Sequence, residues 1–203
     1  MRGHCFVDGV EKHVKCAYVG VNGKAQYIMK PPGIIKCGAN IEALSAPRWI
    51  MASTSNYNYA LFAGGLHVVR TPKTSTSIKS EVDAYDIRLT KSSCDNLSES
   101  KYYLDATTVG DYALFGAGTA STDWTVCSNK VEAYNSSLTK NMSSTLRTAK
   151  CNLQAESVKN YALFEGGCMT GNNYSDVVYS TVDAYNSSLT RTTAPNLSSA
   201  RIS

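Results

Sequence analysis

One phrase of eight residues occurs three times in this chain of 203 residues, and its spacing limits the folds that the chain can adopt. It reads NYALFAGG at 58–65, DYALFGAG at 111–118 and NYALFEGG at 160–167. A leucine stands 15 residues before the tyrosine of each copy, and a fourth leucine starts the pattern again: Leu44, Leu97, Leu146 and Leu197, separated by 53, 49 and 51 residues. Constant offsets over this length predict a repeat architecture in which each unit packs on the next.

Each repeat unit predicts four β-strands. Alternating side chains indicate the first strand, and the apolar YALF run is typical of a short second strand buried on both faces. The phrase VDAY or VEAY predicts a third strand, and a turn follows it. The predicted first strands include Trp49, Tyr102 and Cys151, and leucines open the fourth: Leu89, Leu138 and Leu189.

Three sets of residues recur at matching offsets, and we interpret them as structural. A cation follows each leading leucine by four residues, glycines end the second strand, and a tyrosine ends the third. The sets are the cations Arg48, Lys101, Lys150 and Arg201, the glycines Gly64, Gly65, Gly116, Gly118, Gly166 and Gly167, and the tyrosines Tyr85, Tyr134 and Tyr185. The third strands also carry a recurring acid, Asp83, Glu132 or Asp183, which we expect to pair with the cations.

The combination of R-x-x-x-A, YALFxGG and VDAY resembles the kelch repeat over residues 40–203. That resemblance implies an all-β fold, in which each unit is one four-stranded blade of a β-propeller related to galactose oxidase. The blades would span 44–96, 97–145 and 146–196, with the first strand of a fourth blade from 197. A Leu-Thr pair replaces the usual tryptophan of the last strand, and the second copy breaks its glycine pair. These variants resemble bacterial and phage-encoded kelch-like repeats.

Three blades make a partial β-propeller, whereas kelch propellers close with more. Because the segment NLSSARIS stops inside a predicted strand, we expect that the protein is a fragment of a longer reading frame. Pairing with another copy and a stable open arc are the alternatives. An open arc leaves sheet faces uncovered, which predicts marginal stability or self-association.

Residues 1–36 follow a different, shorter period and predict a separate module of small β-hairpins. VDG at 7–9 and VNG at 21–23 are hairpin signals, and KPPGIIKCG at 30–38 predicts a stiff linker. The segment is similar to short β modules of phage tail and baseplate proteins. That similarity implies an attachment module.

Composition and motifs exclude several functional classes. Basic and acidic residues are interspersed, which argues against nucleic-acid binding, and no membrane span or signal peptide is predicted. Seven irregularly spaced cysteines indicate reduced thiols, so the expected location is cytoplasmic or virion-associated. No catalytic motif occurs, and three histidines, His4, His13 and His67, give no convergent metal site. We therefore predict no catalytic residues, metal or cofactor.

The segments between the second and third strands differ from one unit to the next: 66–80, 119–129 and 168–180. Varied loops on a repeated scaffold favour recognition of a protein or a glycan. The candidate binding residues are His67, Arg70, Asp123, Trp124, Asn173 and Tyr174. The alternatives are merely tolerant loops, a structural virion or tail component, and a glycan-active or copper-dependent enzyme with its active site in missing blades. Glu165, in the third phrase, is interpreted as a residue at the exposed edge of an incomplete ring, and the alternative is a functional role facing a neighbouring cation or a ligand.

Overall fold

The computed structural model describes residues 4–7, 10–13, 17–21, 24–29, 42–70, 74–123, 125–170 and 176–203, and the first four of these segments in their backbone only. The chain divides into two compact units, Met1–Asn40 and Ile41–Ser203. All elements in the described residues are β-strands, joined by turns and irregular segments. The protein is therefore all-β in its described part.

The first unit contains two antiparallel pairs of strands. β1 (His4–Val7) pairs with β2 (Val10–His13), and β3 (Ala17–Val21) pairs with β4 (Lys24–Met29). These pairs flank the Asp-Gly and Asn-Gly dipeptides that predicted hairpins. The predicted linker at 30–38 lies outside the described residues.

The second unit contains three four-stranded antiparallel sheets, one from each complete repeat. Sheet 1 consists of β5 (Ala52–Ser55), β6 (Tyr59–Ala63), β9 (Val82–Asp86) and β10 (Lys91–Ser92), with the hairpin β7 (Leu66–Val69) and β8 (Ser75–Ile78) inserted after β6. Sheet 2 consists of β11 (Asp105–Val109), β12 (Tyr112–Gly116), β13 (Val131–Tyr134) and β14 (Lys140–Met142). Sheet 3 consists of β15 (Gln154–Val158), β16 (Tyr161–Glu165), β19 (Val182–Tyr185) and β20 (Arg191–Ala194), with the hairpin β17 (Cys168–Thr170) and β18 (Asp176–Val178) inserted after β16.

The two recurring phrases form the central pair of strands in every sheet, in one register. Leu61 lies opposite Ala84 in sheet 1, and the same leucine–alanine pairing recurs in sheets 2 and 3. The phenylalanine of the second strand packs edge-to-face on the tyrosine of the third, with ring centroids 6.1, 6.0 and 5.8 Å apart; the pairs are Phe62–Tyr85, Phe115–Tyr134 and Phe164–Tyr185. The recurring tyrosines are buried, so the phrases recur because they build the core.

The first strand of each sheet is shorter than the alternation predicted. Trp49, Tyr102 and Cys151 make isolated bridges to the insert side, with Leu66, Thr119 and Cys168, rather than opening the strand. The residue after each of them has a positive φ, which interrupts the strand: Ile50 (52°), Tyr103 (53°) and Asn152 (53°). The expectation that leucines open the fourth strands is also wrong, because Leu89, Leu138 and Leu189 have φ of 62°, 60° and 59° and lie in the preceding turn.

Two segments join consecutive sheets, and an equivalent segment follows sheet 3; we call the three of them the seam segments: 97–101, 146–150 and 197–201. In each one the leading leucine donates its N–H at 2.8 Å to the last carbonyl of the segment 66–80, 119–129 or 168–180 that precedes it, from Leu97 to Ser80, Leu146 to Asn129 and Leu197 to Ser180. The first two seam segments also bind the following sheet. Ser98 donates its N–H to Glu132 at 2.7 Å, and Arg147 donates to Asp183 at 2.9 Å. β11 contacts both β5 and β15, so sheet 2 lies between its neighbours.

Candidate functional site

The most varied part of the second unit lies on a base that is the same in all three sheets. We call the segments 66–80, 119–129 and 168–180 the inserts, and their exposed side chains the insert surface. Each insert closes on the last glycine of the recurring phrase, whose carbonyl accepts an N–H from Lys79, Ser128 or Tyr179 at 2.8, 2.8 and 2.9 Å. A second closing bond of 3.1 Å joins Gly64 to Glu81, Ala117 to Lys130 and Gly166 to Thr181. The base is therefore fixed while the residues beyond it change.

The bodies of the inserts differ in structure. The first and third are short hairpins, β7–β8 and β17–β18. The second is built around Thr119, whose hydroxyl donates to the carbonyls of Val126 at 3.0 Å and Ser121 at 3.1 Å. A single backbone bridge joins Thr119 to Cys127. One anchoring geometry thus presents three different surfaces.

Each insert exposes a β-branched apolar side chain. Val69 is 38% exposed, Val126 57% and Val177 45%. Ser75 and Thr76 are exposed on β8. Exposed apolar side chains set among polar groups suit contact with another molecule's surface.

The predicted binding residues fall into three groups. His67 lies in β7, and its Nδ1 contacts the Pro47 carbonyl, so it helps to hold the insert base. Arg70 follows β7 and is exposed. Asp123 is exposed, but its carboxylate accepts the hydroxyl of Thr125 at 2.8 Å, and this bond is the main cause that lowers the Asp123 pKa. Trp124, Asn173 and Tyr174 lie outside the described residues.

The predicted pairing of recurring cations with recurring acids holds fully in sheet 1. Arg48 and Asp83 form a buried ion pair, and Arg48 also donates to the carbonyls of Glu81 at 2.9 Å and Phe62 at 3.2 Å. Burial raises the pKa of Asp83, but hydrogen bonds from Ser45 and Lys91 and the Arg48 charge outweigh it, so the pKa lies below its ordinary value. Asp83 is therefore an ionised carboxylate inside the sheet.

Sheets 2 and 3 depart from this pairing. Lys101 is buried and, within the described residues, its ammonium has no hydrogen-bond partner; burial lowers its pKa. Lys150 donates instead to the Thr181 hydroxyl at 3.2 Å, and burial lowers its pKa to about 8. In sheet 3, Arg147 and Arg191 bind Asp183 at 2.9 and 3.0 Å. The fourth cation, Arg201, is exposed.

A second recurring set of cations was missed at the sequence level. Lys91 binds Asp83 at 2.9 Å, Lys140 donates to the Asn96 carbonyl at 2.7 Å, and Arg191 binds Asp183. The signal was present in the sequence, since LTK, LTK and LTR occur at the same offset in the three repeats.

A cavity of about 300 Å³ lies where the first strands of the sheets begin. Its lining includes the positive-φ residues Ile50, Tyr103 and Asn152 together with Asp105. The Asp105 carboxylate accepts the N–H of Ala155 at 2.7 Å, and burial raises its pKa. This carboxylate links sheets 2 and 3. Both oxygens already accept backbone N–H groups.

Glu165 is half-buried at the end of β16, at the position that Ala63 and Gly116 hold in the other sheets. At Gly116 a Cβ atom would approach the Phe164 ring to 2.6 Å, so this position faces the next sheet in sheet 2. Glu165 itself lies on an inner strand of sheet 3, and its interpretation as a residue at the exposed edge of an incomplete ring stays a prediction.

The chain matches no known family model, and no curated protein matches it either. Among the described residues, no group of three or more histidine, cysteine or carboxylate side chains could hold a metal ion. In that same part of the chain, no helix has the length and apolar character that a membrane crossing requires.

Proposed function

We propose that the protein is a non-catalytic binding module that recognises a protein or a glycan through its insert surface. The carrying observation is that three different inserts close on backbone hydrogen bonds at equivalent positions and of nearly equal lengths, 2.8–2.9 Å at the last glycine and 3.1 Å one residue earlier. Varied segments on a repeated base are the usual arrangement of recognition surfaces.

We also propose that the three sheets are blades of a kelch-type β-propeller. The meander order of four strands, the insert after the second strand and the packing of first strands against one another support this arrangement. We also propose that the protein self-associates through a sheet face that no neighbouring sheet covers. The N-terminal hairpins would serve as the attachment module of a larger bacterial or phage particle.

The binding proposal is tested with the whole chain on a glycan array and against a displayed peptide library. The test variant is Val126→Asp with Val177→Asp, which puts charge on two exposed positions of the insert surface. The control is Ile87→Asp, since Ile87 is 86% exposed in the turn after β9, at the opposite end of the sheet from the inserts.

We expect the test variant to lose roughly tenfold or more in affinity for a captured ligand, while the control keeps it. Equal loss in both variants would contradict the proposal, as would the absence of any ligand in both screens.

A further inference from the structure

Three thiols from two sheets meet at the base of the second insert. Cys151 and Cys168 face each other across an isolated bridge and exchange both backbone hydrogen bonds, at 2.8 and 2.9 Å. Cys127, near the end of the second insert, places its sulfur 4.0 Å from the Cys168 carbonyl oxygen and hydrogen-bonds with the Cys151 thiol. Cys151 and Cys168 are buried, and Cys127 is half-buried.

The backbone geometry distinguishes the cysteine pair that is well placed to form a disulfide from the pair that is poorly placed. A disulfide needs Cβ atoms about 3.5–4.5 Å apart. Residues that exchange both hydrogen bonds in an antiparallel pair hold their side chains farther apart than residues of the alternate, non-bonded positions. Cys151 and Cys168 are such a hydrogen-bonded pair, so they are poorly placed to be joined. Cys127 is outside this backbone pair, and its thiol hydrogen-bonds with the Cys151 thiol. Cys151 also has a side-chain hydrogen bond with Cys168, so the backbone register, rather than thiol contact, distinguishes the two pairs.

We propose that Cys127 and Cys151 are a reversible oxidation site that closes to a disulfide when the protein meets a peroxide. The Cys127 thiolate attacks one peroxide oxygen, the O–O bond breaks, and hydroxide leaves; the sulfur becomes a sulfenic acid. The Cys151 sulfur then attacks the Cys127 sulfur, the S–O bond breaks, and water leaves with the Cys151 proton. The peroxide is reduced by two electrons, and the two thiols together are oxidised by two.

The surroundings assign the roles of the two sulfurs. The hydrogen bond from the Cys151 thiol is the main cause that lowers the pKa of Cys127, and the half-buried Cys127 is the more accessible of the two. The same hydrogen bond, together with burial, raises the pKa of Cys151. Thiolate character and access favour Cys127 as the sulfur that reacts first.

The chain supplies a matched control thiol. Cys94 is also half-buried, but its sulfur contacts the Val82 carbonyl at 3.2 Å, and burial raises its pKa to about 11. We therefore expect the rate at which Cys94 reacts with peroxide to be about one tenth of the Cys127 rate or lower.

Peptide mapping tests the proposal on the full, reduced chain. The protein is treated with hydrogen peroxide, its remaining thiols are alkylated, and trypsin is used without reduction. Cleavage at lysine and arginine places the relevant cysteines in separate peptides: 92–101 for Cys94, 102–130 for Cys127, 151–159 for Cys151 and 160–191 for Cys168. We expect a linked pair of 102–130 and 151–159 that a dithiol reductant separates.

Two variants make the result decisive. In Cys168→Ser the link should still form, whereas in Cys151→Ser it should be lost and Cys127 should accumulate as a sulfenic acid that dimedone traps. A wild-type link from Cys168 to either partner, or oxidation of Cys94 as fast as Cys127, would overturn the proposal.

Discussion

At the residue scale, one left-handed backbone position recurs where the second strand of each sheet ends. Gly64 and Gly166 have φ of 66°, and Ala117 holds the same position in sheet 2 with φ of 63°. Glycine adopts this conformation without penalty, whereas a Cβ atom costs about 1–2 kcal/mol there. The variant glycine pair of the second repeat therefore keeps the backbone geometry and carries the strain in one alanine.

Ala117→Gly should stabilise the protein by roughly 1 kcal/mol, because it removes that strain. Urea unfolding followed by tryptophan fluorescence or circular dichroism measures the change. The control is Ala113→Gly in the middle of β12, which should destabilise by about 0.5–1 kcal/mol. Equal destabilisation by both changes would show that the Ala117 side chain contributes more through packing than it costs in strain.

Gly64→Ala should destabilise more strongly than Gly110→Ala, although both glycines have positive φ. A Cβ at Gly64 would lie 2.5 Å from the Lys101 carbonyl oxygen, whereas at Gly110 the nearest atom is 3.3 Å away. We expect Gly110→Ala to lower the free energy of unfolding by about 1–2 kcal/mol, and Gly64→Ala to lower it by at least about 1 kcal/mol more. Thermal or urea unfolding of the two variants gives the difference. Equal losses of stability would mean that the backbone around the Lys101 carbonyl can shift without a measurable energetic cost.

Asp83→Asn should cost about 3 kcal/mol near neutral pH, because it leaves the buried Arg48 without its counter-charge. The Asp83 pKa lies below its ordinary 3.8, so the stabilisation by the charged form is present above 3.8 and is lost as pH falls through the folded-state value. The difference in unfolding free energy between wild type and variant should therefore shrink below pH 4. Asp95→Asn, at an exposed position, is the control. If the difference in unfolding free energy between wild type and variant did not change with pH, the result would contradict the conclusion that the Asp83 carboxyl is ionised.

At the scale of the sheets, equivalent positions hold different cations, and these cations make different numbers of hydrogen bonds. Arg48 reaches three acceptors in sheet 1, whereas in the described residues the Lys101 ammonium of sheet 2 reaches none. The carbonyls of Phe115 and Lys130 and the carboxylate of Glu132 hold the equivalent positions in sheet 2. A planar guanidinium with five donors suits this set better than an ammonium.

Lys101→Arg should therefore stabilise the protein by roughly 1 kcal/mol, through hydrogen bonds that the lysine does not make. Chemical unfolding measures the effect, and Lys159→Arg, at an exposed turn, should change stability little. A loss of stability in Lys101→Arg alone would show that the pocket is too small for the larger head group.

The sequence predicts the elements of the sheets well and their junctions poorly. Recurring phrases located the central strands, because YALF and VDAY carry both the apolar pattern and the paired aromatic residues of the core. The breaks at Ile50, Tyr103 and Asn152 were missed because none of these residues is a glycine, the residue that adopts a positive φ without penalty. The thiol cluster was missed for a related reason: Cys127, Cys151 and Cys168 are far apart in sequence, and only the sheet packing brings them together.

At the scale of the whole molecule, the first strands of the three sheets differ in exposure. β11 is largely buried between its neighbours, whereas most of β15 is exposed and Val158 is 51% exposed. An uncovered strand with an apolar side chain favours contact with another copy.

Light scattering should therefore give a mass above 21.9 kDa that rises with concentration, since association follows mass action. Val158→Lys should reduce the association, because it places a charge on the exposed strand. A concentration-independent monomer mass for the wild-type chain would contradict the expected self-association.

The seam segments have a consequence for how a chain of this kind changes in length. Each one binds the insert before it through backbone groups, at the same offsets in every copy. Removal of residues 97–145 would bring Leu146 to the place of Leu97, opposite the Ser80 carbonyl that Leu97 now uses. Gene duplication or loss in steps of one repeat thus preserves the junction without any compensating substitution, so related chains are expected to vary in length by whole sheets rather than by single strands.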